Sequence, residues 1–157
     1  MIDPFNIQTG LCTIGAVLLL SQPAPADLAL TGDLRVAVEG LPNRQGGVCL
    51  KIFSDRQGFP SENINVVDQA CVAIDAIPLT VTFNDLAFGN YAIALYHDSN
   101  GDGQFNRGAF GIPTEGFGFS NNPAIRMGPA EFEEAMFLWA GAKAPITIQI
   151  QYSPWQL

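Results

Sequence analysis

Apolar and polar residues alternate with a period of two through most of the chain after residue 30, and this limits the folds that the chain can adopt. Successive side chains of a β-strand point to opposite faces, so the period is typical of strands with one buried face. Leu34, Val36 and Val38 are the first example. Since helical periodicity is almost absent, the sequence predicts an all-β domain.

The alternating segments predict about seven short strands, separated by turns rich in Gly, Pro and Asn. Their approximate positions are 34–38, 48–52, 71–77, 79–83, 91–98, the end of 131–139, and 146–152. We expect 131–139 to begin as a helical turn and 54–69 to be a polar connection. Seven strands without an internal repeat favour a single antiparallel β-sandwich, immunoglobulin-like or prealbumin-like. A length of 157 residues fits one such domain.

The first 26 residues resemble a secretory signal peptide. The mostly apolar run from Gly10 to Leu20 is shorter than the about 20 residues that cross a bilayer, and Ala24 and Ala26 fit an A-x-A cleavage site. The segment has no Lys or Arg near its start, so a buried N-terminal helix is the alternative. We expect residues 27–157 to form a periplasmic or secreted domain without a transmembrane segment.

Export would leave the mature domain with Cys49 and Cys71, because Cys12 lies in the leader. Two cysteines in an oxidising compartment favour one disulfide. Closing a loop of about 23 residues would stabilise the fold by roughly 3 to 4 kcal/mol. Two separate buried thiols are the alternative if the chain is not exported.

The charge of the chain excludes one class of partner. The formal net charge is -8, and the seven Lys and Arg residues are scattered along the sequence. Nucleic-acid binding requires clustered basic side chains that neutralise phosphates, so we expect no nucleic-acid partner. An acidic surface is compatible with cation binding.

The segment from His97 to Asn106 contains the clearest candidate binding site. Its side-chain oxygens match the first, third and fifth ligands of a calcium loop, and Gly103 stands at the sixth position, where the loop turns sharply. The candidate ligands are Asp98, Asn100, Asp102, Gln104 through its backbone carbonyl, Asn106 and Glu115. Glu115 would have to fold back onto the loop, because Ala109 occupies the twelfth position, where such loops place a bidentate Glu.

A polar turn without metal is the alternative interpretation of this segment, since Gly, Asn and Asp favour tight reversals by themselves. If the loop binds Ca²⁺, the missing bidentate carboxylate predicts a dissociation constant on the order of 0.1 to 1 mM. We expect His97, the only histidine, to be hydrogen-bonded into a loop rather than catalytic.

The segment 109–129 predicts a long loop, rich in Gly and Phe, that follows the candidate site. Connections of this length are uncommon in compact domains and are often functional. Four phenylalanines lie in or near it: Phe105, Phe110, Phe117 and Phe119. We expect their rings to pack over one end of the sandwich, because exposed rings reduce solubility. An exposed ring that contacts a ligand is the alternative.

Several segments resemble the bacterial domain of unknown function 2141 family. They are LRVAVEGL, GGVCLKIF, GFP at 58–60, FNDLAFGNYAIALYHDSNGDGQFN, FGIPTEGFGFSNNP, FEEAMF and ITIQIQY. Together they cover nearly all of residues 34–152. The resemblance implies export to the periplasm or beyond and a single β-sandwich, and it brings no established activity or catalytic residues.

Two hypotheses about function follow from the sequence. The first is an exported binding or structural module of the cell envelope, in which calcium at 98–106 orders the 109–129 loop for an envelope polymer or protein. The second is a small calcium-dependent hydrolase that uses acidic residues of the same loop, such as Asp98 with Glu115. We favour the first, because the sequence has no nucleophile elbow, zinc-binding helix or phosphate-binding glycine loop.

Overall fold

The alternating segments form eight β-strands in two sheets, in a computed structural model that describes residues 30–125 and 128–152. The strands are β1 (Thr31–Glu39), β2 (Gly47–Phe53), β3 (Val66–Ala73), β4 (Leu79–Ala87), β5 (Gly89–Asp98), β6 (Phe117–Phe119), β7 (Phe137–Trp139) and β8 (Ile146–Gln149). One short helix, α1, spans Phe132–Ala135. The predicted leader, residues 1–26, lies outside the described residues. The all-β prediction is confirmed.

The two sheets differ in size and in strand direction. The smaller has the order β4-β1-β8, and the larger has the order β3-β2-β5-β6, with β7 paired to the start of β5. All of these pairs are antiparallel except β1 with β8, which runs parallel. The expectation of a wholly antiparallel sandwich is therefore wrong for one pair. Alternation records which face of a strand is buried, and it does not record the direction of the neighbouring strand.

The main core lies between the two sheets and consists of the inward side chains of both. The fully or almost fully buried members include Leu34, Val36, Val38, Val48, Leu50, Ile52, Ile93 and Ile148. Each such side chain contributes roughly 1.5 to 3 kcal/mol through removal of apolar surface from water. The predicted inward faces of β1 and β2 are confirmed.

The outer face of the larger sheet is also covered by apolar residues, which we call the outer cluster. Its buried members are Phe53, Ala92, Phe119, Ala130, Phe132 and Ala135. Phe59 packs against them, with ring centroids 5.2 Å from Phe53 and 5.8 Å from both Phe119 and Phe132. This cover buries Phe53 of β2 and Ala92 of β5 on the outer face, so the part of both strands beneath it is buried on both faces.

The third predicted strand and the connection that precedes it have different bounds in the structure. The third strand runs over Val66–Ala73 instead of 71–77, so the polar connection that begins at residue 54 is shorter than predicted. This strand lies at the edge of its sheet and buries its inward face only partly, so its alternation is weak in the sequence. The predicted helical turn and strand over 131–139 are confirmed as α1 and β7.

The described part of the segment 109–129 is not wholly a loop, since it contains a 3-10 turn at Ala109–Gly111 and the strand β6. Glycine is required inside this strand. A Cβ atom on Gly118 would lie 2.8 Å from a methyl group of Ile148 and 3.0 Å from the carbonyl oxygen of Gln149. The glycines that make the segment read as a loop therefore allow β8 to pass close to β6.

The predicted disulfide is confirmed. Cys49 on β2 and Cys71 on β3 are directly opposite each other, with Cα atoms 4.0 Å apart, and they form a disulfide bond. The bond ties the edge strand β3 to its neighbour.

Among residues 30–125 and 128–152, no helix is long and apolar enough to cross a membrane.

Replacing both cysteines by serine should lower the free energy of unfolding by roughly 3 kcal/mol, because the reduced unfolded chain gains the entropy of an open loop. Denaturant unfolding measures this loss. Adding a thiol reductant to the wild-type protein should lower its stability by a similar amount and should leave the double variant unchanged. A wild-type unfolding curve that does not respond to reductant would contradict the assignment of a stabilising bond.

Candidate functional site

The candidate site begins at the last residue of β5, Asp98, whose carboxylate is buried beneath the following turn. Its Oδ1 accepts hydrogen bonds from the backbone N–H of Gly101 at 2.8 Å and of Asp102 at 3.1 Å. Its Oδ2 accepts one from Gly103 at 2.9 Å. Both glycines have positive φ, 75° and 73°, which the tight reversal requires. Asp98 therefore fixes the backbone of the turn from the rigid end of the sheet.

Three side chains meet at the outer rim of this turn: those of Asn100, Asp102 and Asn106. The Asn100 amide nitrogen lies 3.0 Å from both Asp102 Oδ2 and Asn106 Oδ1. The Asn106 amide nitrogen lies 3.1 Å from the same Asp102 oxygen. The third, fifth and ninth positions of the predicted loop therefore converge.

The Asp102 carboxylate is exposed, yet both of its oxygens accept hydrogen bonds from the loop. The backbone N–H of Gln104 donates to Oδ1 at 2.8 Å. This bond, then the one from the Asn106 amide and then that from Asn100, lowers the pKa of Asp102 below its ordinary value. The charged form of Asp102 is thus the favoured one at the rim.

Glu115 reaches this turn from a distant part of the chain. Its Oε1 accepts a hydrogen bond from the backbone N–H of Ser99 at 3.0 Å, and its Oε2 accepts one from Asn106 at 2.9 Å. The residue is only 3% exposed. Glu115 therefore folds back onto the loop and joins its first and last parts through their backbone.

The chain between Asn106 and Glu115 forms a short hairpin. An antiparallel bridge pairs Arg107 with Pro113, and the backbone N–H of Thr114 donates to Asn106 O at 3.0 Å. Phe110 is at the tip of the hairpin, fully exposed, with a φ of 59°. Such a backbone conformation costs a residue other than glycine of order 1 kcal/mol or more. The expectation that this ring packs onto the sandwich is wrong, because the hairpin points it away from the sheet.

The other three rings pack as expected and connect the loop to the larger sheet. The Phe105 centroid lies 5.5 Å from Tyr96 on β5 and 5.9 Å from Phe117 on β6, and Phe117 lies 5.9 Å from Phe119. The Tyr96 hydroxyl also donates to the carbonyl of Gly103 at 2.8 Å. Burial, followed by the nearby carboxylates of Asp98, Glu115 and Asp102, raises the pKa of Tyr96, so the hydroxyl keeps its proton for this bond.

His97 is hydrogen-bonded into a neighbouring turn, as the sequence predicts. Its Nε2 lies 2.8 Å from the carbonyl oxygen of Gln45, and its Nδ1 lies 2.8 Å from the Tyr152 hydroxyl. Because a carbonyl can only accept, Nε2 carries the proton and Nδ1 accepts from the tyrosine. Burial raises the pKa of Tyr152 to about 12. The buried His97 thus joins β5 to two other segments.

The sequence suggests that the Asn121 and Asn122 side chains hydrogen-bond within the returning loop, but it indicates neither their distant partners nor the role of Ser120. The Ser120 hydroxyl oxygen, fully buried, accepts a hydrogen bond from the backbone N–H of Ile93 at 2.8 Å and donates to Ala135 O at 2.5 Å. The Asn121 amide donates to Met136 O at 2.7 Å. These two side chains hold the segment of α1 and β7 against the larger sheet.

Asn122 makes a different connection, to the backbone of β8. Its amide nitrogen donates to Thr147 O at 3.0 Å, and its amide oxygen accepts from Gln149 N at 2.7 Å. The side chain therefore occupies backbone groups that a neighbouring strand would otherwise pair with. Asn121 and Asn122 have φ of 62° and 49°, a conformation that Asn tolerates better than most residues. This preference was the only signal in the sequence for their role.

The oxygen atoms of the loop suit a hard cation such as Ca²⁺. Asp98 Oδ2 accepts one hydrogen bond and keeps a second lone pair, while Asp102 and the two rim asparagines contribute carboxylate and amide oxygens. The donor set is mixed: among residues 30–125 and 128–152, no group of three or more His, Cys, Asp or Glu side chains is arranged to hold a metal ion. Any site here would therefore depend on amide and backbone oxygens.

Comparison with known proteins places the chain in a family. The model of a family of uncharacterized proteins conserved in bacteria, DUF2141, matches residues 36–147. The chain belongs to that family. The DUF2141 match runs from β1 to β8 and includes the loop, Glu115 and the Ser120–Asn122 segment, so the resemblance found in the sequence is confirmed. No curated protein matches the chain. No solved structure matches it either.

Replacing Glu115 by Gln should lower the free energy of unfolding by about 2 to 3 kcal/mol, because one backbone N–H would face an amide NH₂ group instead of a carboxylate oxygen. Amide hydrogen exchange should accelerate at Ser99 and Asn106. The matched control is Glu133→Gln, an exposed residue paired with Arg56, which should cost about 0.5 kcal/mol or less. Equal losses in the two variants would show that Glu115 does not hold the loop.

Proposed function

We propose that this protein is an exported binding or structural module of the bacterial cell envelope, in which Ca²⁺ bound at 98–106 stiffens the loop and the hairpin that follows. One observation carries the proposal. The side chains of Asn100, Asp102 and Asn106 converge at 3.0 to 3.1 Å on the rim of a turn. The backbone of that turn is already fixed by two buried carboxylates.

The chemistry of the rim supports a cation. Two amide N–H groups point at the same oxygen of Asp102, which shows where positive charge is favoured. Ca²⁺ would take the place of the two amide N–H groups beside this oxygen. The Asn100 and Asn106 amides would then turn so that their oxygens face the ion. Asp98 and Glu115 add negative charge nearby.

The expected affinity is low. Glu115 Oε1 accepts hydrogen bonds from both the backbone N–H and the hydroxyl of Ser99, which leaves only Oε2, already bonded to Asn106 N–H, with a spare lone pair; Glu115 therefore cannot act as the bidentate ligand of a tight site. A dissociation constant on the order of 0.1 to 1 mM follows, in the range of extracellular calcium modules. Such an affinity suits an exported protein.

The hairpin between Asn106 and Glu115 is the part that the ion would order for a partner. It carries the fully exposed ring of Phe110 at its tip, and both of its ends are tied to the loop by Glu115 and the Thr114 hydrogen bond. Stiffening the loop would restrict the hairpin and reduce the entropy cost of contact with an envelope polymer or protein.

Export is supported by three observations. The first 26 residues have the features of a leader, Cys49 and Cys71 form a disulfide of the kind that persists in oxidising compartments, and the family is bacterial.

The hydrolase hypothesis has less support. Asp98 and Glu115 are both buried and engaged with backbone N–H groups, so both carboxylates are used to build the loop.

Calcium at about 10 mM should raise the free energy of unfolding by about 1.4 to 2.7 kcal/mol, as expected for a dissociation constant on the order of 0.1 to 1 mM. Asp102→Asn should weaken calcium binding by about tenfold or more, because it removes a charge at the rim. Calorimetric titration of chelator-treated protein and denaturant unfolding with and without calcium measure the two effects.

The matched control for this experiment is Asp55→Asn. Asp55 is also exposed and also accepts a hydrogen bond from the backbone N–H two residues later, Gln57, at 2.9 Å, so it reproduces the local change away from the loop. It should leave calcium binding unchanged. The calcium proposal is wrong if the wild-type protein shows neither heat of binding nor stabilisation, or if both variants lose them equally.

Expression of the full chain in a Gram-negative host should yield a periplasmic protein whose N-terminus is Asp27, because the leader would be removed after Ala26. Cell fractionation and N-terminal sequencing measure this. Recovery of the uncleaved chain in the cytoplasm, with Cys49 and Cys71 reactive toward thiol reagents, is the opposite result and would reject export.

A further inference from the structure

An open cleft with a mixed polar and aromatic lining lies at the far end of β5 from the candidate calcium loop. Its volume is about 400 Å³, and its lining includes Thr31, Asp33, Arg35, Phe88, Trp139 and Lys143. Phe88 precedes β5 and Asp98 ends it, so the strand of ten residues separates the two places by roughly 30 Å. The cleft is therefore independent of the loop.

Two cations line this cleft, although the protein as a whole is strongly acidic. Neither Arg35 nor Lys143 forms an ion pair within the described ranges, where the only such pair joins Arg56 to Glu133. The guanidinium of Arg35 donates to the backbone carbonyl of Lys143, which holds it at the cleft. The ammonium of Lys143 has no hydrogen-bond partner in the same part of the chain. Both charges are available to a ligand.

One wall of the cleft is aromatic and fixed in place. Phe88 meets Trp139 edge to face with ring centroids 6.0 Å apart, and the Trp139 indole donates to Leu86 O at 3.2 Å. Two glycines make room for the rings. A Cβ atom on Gly141 would lie 2.8 Å from the Phe88 ring, and one on Gly32 would lie 3.3 Å from each ring. Phe88 remains 37% exposed, so part of its surface faces the cleft.

The lining also includes groups that bind hydroxyls. Asp33 accepts one hydrogen bond at Oδ1, from the backbone N–H of Asp85 at 3.2 Å, which leaves oxygen lone pairs free. Thr31 supplies a hydroxyl at the mouth of the cleft. The lining thus joins positive charge, an aromatic surface and a hydroxyl acceptor.

We propose that this cleft binds an acidic sugar, a pyranose ring that carries a carboxylate, as a unit of an anionic polysaccharide. The carboxylate would pair with Arg35 and Lys143, the C–H face of the ring would lie against Phe88, and ring hydroxyls would donate to Asp33. A volume of about 400 Å³ falls in the range of small-molecule sites. The net charge of the protein is -8 and repels anions, so binding depends on the local charges of Arg35 and Lys143. Removing either charge weakens binding, and added salt weakens it by screening.

Calorimetric titration of the purified protein with trigalacturonate tests the proposal. The experiment is done in EDTA, so that calcium bridges to the loop cannot contribute. Lys143→Gln and Arg35→Gln should each weaken binding by about tenfold, as expected for loss of a charge-assisted hydrogen bond. Lys143→Gln is the safer variant, because its ammonium makes no hydrogen bond or ion pair in the described part of the chain.

The matched control is Arg44→Gln, which removes the same charge from the exposed turn between β1 and β2, at the other end of the sandwich. It should leave trigalacturonate binding unchanged. Maltotriose, which has no carboxylate, should not bind, and inorganic phosphate should not compete at equal concentration. Monomeric galacturonate should bind more weakly than the trimer if the natural ligand is a polymer.

Three results would each overturn the acidic-sugar assignment: no heat with trigalacturonate, equal loss in Arg44→Gln and Lys143→Gln, or equal competition by phosphate or maltotriose. Phe88→Leu provides a further test of the aromatic wall and should weaken binding while the protein stays folded by circular dichroism. None of these outcomes depends on calcium, so failure of the calcium proposal leaves the cleft unaffected, and failure of the cleft leaves the calcium proposal unaffected.

Discussion

The packing of phenylalanine rings on the outer face of the larger sheet is the interaction on which the rest of this structure depends. A sandwich normally leaves that face to water, but here Phe59, Phe119 and Phe132 cover it. The cover buries β5 on both sides, and the row of rings continues through Phe117 to Phe105, inside the candidate loop. The loop is therefore joined to the core by apolar contact as well as by the chain.

Buried polar groups then determine where each loop lies on this apolar base. Glu115, Ser120 and His97 are each almost completely buried, and each one bonds to backbone groups of another segment or to a tyrosine. No buried side-chain nitrogen or oxygen of residues 30–125 and 128–152 lacks a partner. Because an unsatisfied buried polar group costs about 1 to 3 kcal/mol, the bonds select one arrangement of the loops from the many that apolar packing would permit.

The two ends of β5 differ in the charge of the side chains around them, and each end carries one of the two proposed binding sites. At one end, Asp98, Asp102 and Glu115 concentrate negative charge around a turn. At the other end, Arg35 and Lys143 place two positive charges beside two aromatic rings, with the carboxylate of Asp33 as the one negative charge in the lining. A sheet holds such groups apart and in fixed orientation, so one small domain can present a cation site and an anion site without mutual neutralisation.

The sequence by itself determined the all-β class, the inward faces of β1 and β2, the disulfide, and the turn whose side chains Asn100, Asp102 and Asn106 meet. The strands and the turn are indicated by local patterns along the chain, and the disulfide by the count of cysteines left after removal of the leader. It also indicated Glu115, because only one carboxylate follows the loop at a suitable distance. It gave no sign of the parallel pair of β1 with β8, since alternation carries no information on strand direction.

Tertiary structure alone decided the remaining features. Gly118 and Gly116 read as loop residues until the close approach of Ile148 and of Tyr152 explains them. Ser120 and Asn122 read as polar loop residues until their partners on β5, α1 and β8 are known. The same holds for the cleft, whose charged and aromatic side chains are far apart in sequence. Contacts between distant residues depend on which faces of the sheets meet, and that is settled by packing of the whole chain rather than by any local pattern.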